Sequence, residues 1–95
     1  MNATVNQVGF LIKIDIGTNI TSATDVKILF KKPSGATGEW AGFKMYDTIV
    51  ARATGEADLD EIGDYELQAK AKTPSFTISG QKISMIVEKP KKVKA

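Results

Sequence analysis

The feature that most constrains this chain is a two-residue rhythm in its apolar side chains. Phe10, Ile12, Ile14 and Ile16 alternate with Leu11, Lys13 and Asp15, and Val26, Ile28 and Phe30 alternate with Lys27, Leu29 and Lys31. Tyr65, Leu67, Ala69 and Ala71 alternate with Glu66, Gln68, Lys70 and Lys72, the cleanest such run. In an extended strand successive side chains point to opposite faces, so each run gives a sheet one dry side and one wet side. A helical stripe would recur near every 3.6 residues, and no segment sustains one. Ala57 to Ile62 is long enough for one helical turn, with Asp58 or Asp60 as its cap.

Turn chemistry separates the runs. Gly17 ends the first, and Lys-Lys-Pro-Ser-Gly ends the second, because proline lacks the ladder donor and Ser-Gly suits a turn. A third strand is expected from Glu39 to Met45, with Trp40 and Phe43 as its bulky members; Gly42 breaks its alternation and marks a bulge, and its inward face is ambiguous. Thr48 to Ala53 reads as a short strand. Phe76 and Ile78, a Ser79-Gly80-Gln81 hairpin turn, and Ile83, Met85 and Val87 complete the set. About seven strands at this spacing predict an all-β sandwich in one domain over residues 1–95, with an ordered core over about 8–90 and a flexible basic tail over 90–95.

Composition narrows the chemistry. The 95 residues include no cysteine and no histidine, so disulfides, thiolate metal sites and every imidazole-dependent triad are excluded. No catalytic, cofactor-binding or metal-binding set is expected, and the chain does not read as an enzyme. The net charge of +2 is uneven: residues 1–88 hold nine basic and eleven acidic side chains, and the excess sits in Lys89, Lys91, Lys92 and Lys94. Those four lysines are the candidate interaction residues, as a dock for an acidic partner or phosphate backbone, although a solubilising end is the favoured reading. With no arginine or aromatic residue among them, a nucleic-acid partner is not expected. No stretch reaches the roughly eighteen apolar residues of a membrane span, so no membrane partner is expected, and the polar start MNATVNQ lacks the plan of a secretory leader.

Glu56, Asp58, Asp60, Glu61 and Asp64 cluster within nine residues but do not fit a calcium loop. With Asp58 in the first position, the fifth is Ile62 and the twelfth is Ala69. Asn2-Ala3-Thr4 and Asn19-Ile20-Thr21 match the glycosylation pattern by chance. Trp40 and Tyr65 are read as core residues. Glu61-Ile62-Gly63-Asp64-Tyr65 is similar to the Asp-x-Gly-x-Tyr corner of immunoglobulin-like domains, whose tyrosine bonds back to the preceding turn; Leu67 stands where those domains place a cysteine.

With the strands placed, SATDVKILFKKPSGATGEW, ADLDEIGDYELQAKAK and GQKISMIVEKP resemble a family of small bacteriophage virion proteins. That family is similar to the immunoglobulin-like amino-terminal domains of siphophage upper baseplate proteins. The resemblance covers about residues 8–90. It implies an immunoglobulin-like antiparallel β-sandwich in which Pro33, Gly35, Trp40, Asp58, Asp60, Gly63, Tyr65 and Leu67 define the fold. It also implies a structural protein of the virion, made in the host cytoplasm and present in multiple copies. Its partners would be other virion proteins and its role that of a tail or baseplate adaptor. Capsid decoration, or carbohydrate binding on the host surface through an exposed Trp40, Phe43 or Tyr46, are the alternatives.

Overall fold

The computed structural model describes residues 2–90. The chain forms eight strands: β1 (Asn2–Thr4), β2 (Leu11–Asp15), β3 (Asp25–Lys31), β4 (Thr37–Ala41), β5 (Phe43–Met45), β6 (Ile49–Ala53), β7 (Gly63–Lys72) and β8 (Thr77–Glu88). They make two sheets, one in the order β1-β8-β7-β3-β4 and one in the order β2-β6-β5. Strand pairs are antiparallel except β1 with β8, which run parallel. The result is the all-β sandwich expected, with its strands ordered as in immunoglobulin-like domains.

The three clean runs become β2, β3 and β7, and their apolar rows form the interior. Ile12, Ile14 and Val50 from the three-stranded sheet face Ile28, Trp40, Tyr65, Leu67, Ala69, Met85 and Val87 from the five-stranded one. Ile20 and Leu59, from the connecting segments, close the two ends. Burying these side chains is the main favourable contribution to folding, at about 1.5–3 kcal/mol for each large one.

Four details depart from the sequence expectations. The strand expected over residues 39–45 is divided between the sheets: β4 pairs with β3, and β5 pairs with β6. Gly42, expected as a bulge, is the crossing point. A Cβ there would lie 3.0 Å from Val50 Cγ1 and 3.2 Å from the Ala51 carbonyl oxygen, so only glycine lets the chain pass this close to β6. The hairpin expected at Ser79-Gly80-Gln81 is instead a bulge in one continuous twelve-residue strand, because the register with β7 shifts between Gln68 and Lys70 without reversing direction. The Gln68 amide donates to the Gly80 carbonyl at 2.9 Å and satisfies the group that the bulge frees. Residues 56–59 make a turn and no helix, with Ala57 in the left-handed region at φ 66°. Asn2 to Thr4, outside the ordered core expected over about 8–90, is a strand paired with Ile86 to Glu88.

Candidate interaction face

The outer faces of the two sheets differ in kind. On the five-stranded sheet the outward rows are mostly polar: Lys27, Lys31, Glu39, Glu66, Gln68, Lys70 and Lys82 surround Leu29, with Ala41 and the 43% exposed Ile86 as the other apolar members. Lys27 pairs with Glu39 at 3.3 Å and Lys82 with Glu66 at 3.3 Å. Such a face is at ease in water.

The three-stranded sheet is reversed. Register places Lys13, Ala51 and Phe43 in one outward row and Asp15, Ile49 and Met45 in the next, with Leu11 and Ala53 beyond Lys13 and Ala51. Only two of these eight residues are charged. Leu11 is 39% exposed and Phe43 46%, and Tyr46, on the turn after Met45, is 80% exposed. Ala51 is fully buried yet lies outside the core cluster, under its row neighbours. The charged members of β5 and β6 lie on the opposite row and reach the rim, where Arg52 is partly buried and Lys44 stays exposed. Lys44 donates to the carbonyls of Thr21 at 3.0 Å and Ala23 at 2.9 Å. The Arg52 Nε and Nη2 donate to Asp58 at 3.1 and 2.7 Å, and its Nη1 donates to the Ala41 carbonyl at 2.9 Å.

Of the residues that the sequence singled out, Pro33, Gly35, Asp60, Gly63 and Tyr65 gather at one corner with Glu61. The Gly35 N–H bonds the Lys32 carbonyl at 2.8 Å to close the β3–β4 turn. Gly63 has φ 132°, and a Cβ on it would come within 2.9 Å of the Pro33 ring, so a side chain is excluded on both grounds. The Tyr65 hydroxyl accepts the Glu61 N–H at 3.0 Å, the tyrosine-corner bond. Glu61 accepts from the Ser34 N–H at 3.0 Å and its hydroxyl at 2.9 Å, and Lys32 bonds Asp60 at 2.6 Å. Leu67 is fully buried in register with Phe30 and Ile83. Trp40 stacks on Phe30 with ring centroids 4.5 Å apart and belongs to the core, so it offers no exposed platform. Lys89 is exposed, and Lys91, Lys92 and Lys94 lie outside the described residues.

This corner sets the response to pH. The bond to Asp60 raises the Lys32 pKa, burial raises that of Tyr65, and the Lys32 bond lowers that of Asp60. Lys32 and Tyr65 therefore hold their protons more tightly folded than unfolded. Their contribution is complete below about pH 10 and is lost as pH rises through their folded values. Asp60 acts at the other end: its contribution is present above about pH 4 and is lost as pH falls through its lowered value. The urea midpoint is expected to be flat near neutrality and to fall above about pH 10, with a shallower fall in Tyr65→Phe. An unchanged alkaline slope in that variant would remove the tyrosine from this account.

Among the described residues, no group of three or more aspartates and glutamates converges in a way that could hold a metal. Three carboxylates of the acidic cluster, Asp58, Asp60 and Glu61, are engaged by Arg52, Lys32 and Ser34 respectively.

No family model and no curated protein matches the sequence. The fold does have a solved counterpart. The chain superposes on the crystal structure of CopC from Methylosinus trichosporium OB3b with a TM-score of 0.63 and 12% identity, over 98% of this chain and 87% of that one. This finding corrects the function expected above: the tail or baseplate adaptor, the capsid decoration protein and the carbohydrate module are withdrawn. The reason is visible at the corner, where Pro33, Gly63, Tyr65 and the loop acids contact one another. The motifs that carried the resemblance hold the sandwich together and carry no information about what it binds. At 12% identity the likeness to CopC likewise shows the fold alone.

Proposed function

We propose that this chain is a non-catalytic docking module that binds a protein surface through the outer face of β2, β6 and β5. The observation that carries this reading is the inversion of those strands: Phe43, Met45, Ile49 and Leu11 face outward while Lys44 and Arg52 lie on the opposite row. Contiguous apolar surface on a small soluble domain marks a place of contact. The complementary surface is apolar at its centre, with one acidic and one basic group to meet Lys13 and Asp15. Lining of this kind gives affinity by excluding water and needs no reactive group.

The reading predicts that Phe43 serves a partner more than it serves the fold. Phe43→Lys is expected to change the unfolding free energy by less than about 1 kcal/mol, since the lysine stem still covers Ala51. Urea denaturation followed by circular dichroism measures this. A loss above about 2 kcal/mol would make Phe43 a structural residue and remove the basis for docking.

A further inference from the structure

We infer that the partner of this face is the same face of a second copy of the chain. The inference rests on the docking reading above and adds the occupant.

It comes from the arrangement of the rows. Ile14, Val50 and Lys44 lie at one level across β2, β6 and β5, with Lys13, Ala51 and Phe43 on one side of that level and Asp15, Ile49 and Met45 on the other. Consider a two-fold axis that lies between two such faces, perpendicular to the strands, at the level of Ile14. It exchanges the two rows. Lys13 of each copy then meets Asp15 of the other, Phe43 meets Met45, and the small Ala51 meets the larger Ile49.

Three properties make the face self-complementary in this orientation. Its only two charges are opposite in sign and symmetric about the axis, and Lys13 makes no ion pair among the described residues. Asp15 bonds the Gly17 N–H at 2.9 Å through one carboxylate oxygen, which leaves the other for a lysine. Phe43 against Met45 is a favourable aromatic–thioether contact. The competing two-fold, with its axis along the central strand β6, would set Lys13 against Phe43 and Asp15 against Met45, covering both charges without a partner. Isologous pairing of this kind is the commonest form of protein self-association. The patch spans three short strands, smaller than the roughly 800 Å² per partner of a standard interface, so association is weak, in the micromolar to millimolar range.

Sedimentation equilibrium of the full chain from about 10 μM to about 1 mM tests this. The mass should rise from monomer toward dimer. Lys13→Asp should weaken association by about tenfold or more, and the swap Lys13→Asp with Asp15→Lys should restore it to within about threefold, because the pair is re-formed with its signs exchanged. Since the chain has no cysteine, mixing Lys13→Cys with Asp15→Cys gives a second reading: the mixed disulfide should form faster than either homodisulfide. A swap no better than the single reversal, or equal disulfide rates, would overturn the inference. A chain that stays monomeric to 1 mM while Phe43→Lys leaves its stability intact would also overturn it, yet would leave the docking reading standing with a different protein as partner. A strongly destabilised Phe43→Lys would remove both.

Discussion

Trp40→Ala is expected to lower the unfolding free energy by about 3–5 kcal/mol, the largest single-residue effect in this molecule. The indole is only 6% exposed and sits in register with Ile28, at the level where the chain is about to leave one sheet for the other. Phe30 stacks on it at 4.5 Å with an interplanar angle of 24°, and the Arg52 guanidinium lies 5.6 Å from its ring centroid. Truncation removes the transfer free energy of the ring and both of these contacts together. The space left behind is held open by two paired strands, which cannot relax far without breaking their ladder. For a domain whose total stability is about 5–15 kcal/mol, such a loss takes a large share, and the melting temperature should fall by roughly 15 °C or more. Circular dichroism is the appropriate probe because the variant loses the only tryptophan. A loss below about 1 kcal/mol would mean that the ring does not anchor the interior.

Asp58→Ala should produce the second large effect, about 2–3 kcal/mol. One carboxylate oxygen accepts the Arg52 Nε at 3.1 Å, its Nη2 at 2.7 Å and the Gly55 N–H at 2.8 Å. Without it, the guanidinium stays in a largely enclosed site beside Trp40 with only the Ala41 carbonyl as partner, and the Gly55 N–H loses its acceptor. Both side chains keep some contact with water, so the effect falls below that of a fully buried pair. Adding Arg52→Met to Asp58→Ala should recover part of the loss, because no charge is then left unpaired. A single variant within about 0.5 kcal/mol of the parent would show the pair to be ordinary surface electrostatics.

How far the sequence predicts this structure depends on where each strand keeps its charges. In β2, β3 and β7 the row that faces water carries the lysines and acids, so alternation gives both the strand and its inward side. In β5 and β6 the apolar residues Phe43, Met45, Ile49, Ala51 and Ala53 face out, while Lys44 and Arg52 lie on the opposite row and find carbonyls and Asp58 at the rim. Polarity alone assigns those strands the wrong face. Gly42 held the missing signal, since a glycine between Trp40 and Phe43 re-phases the alternation as the chain changes sheets. The strand β1 leaves no signal in the sequence, because three residues with one inward alanine make no periodicity. The bulge at Ser79-Gly80-Gln81 is hidden for a different reason. A glycine between two β-prone runs has the same local chemistry in a hairpin and in a bulge, and only the long partner strand β7 decides between them.

Gly42 has one more consequence. It makes a single unlooped stretch of chain a member of both layers, so the indole of Trp40 inside and the ring of Phe43 outside sit three positions apart along the chain. A change in Trp40 emission when the outer face is covered is therefore the expected label-free signal of occupancy, since the chain has one tryptophan.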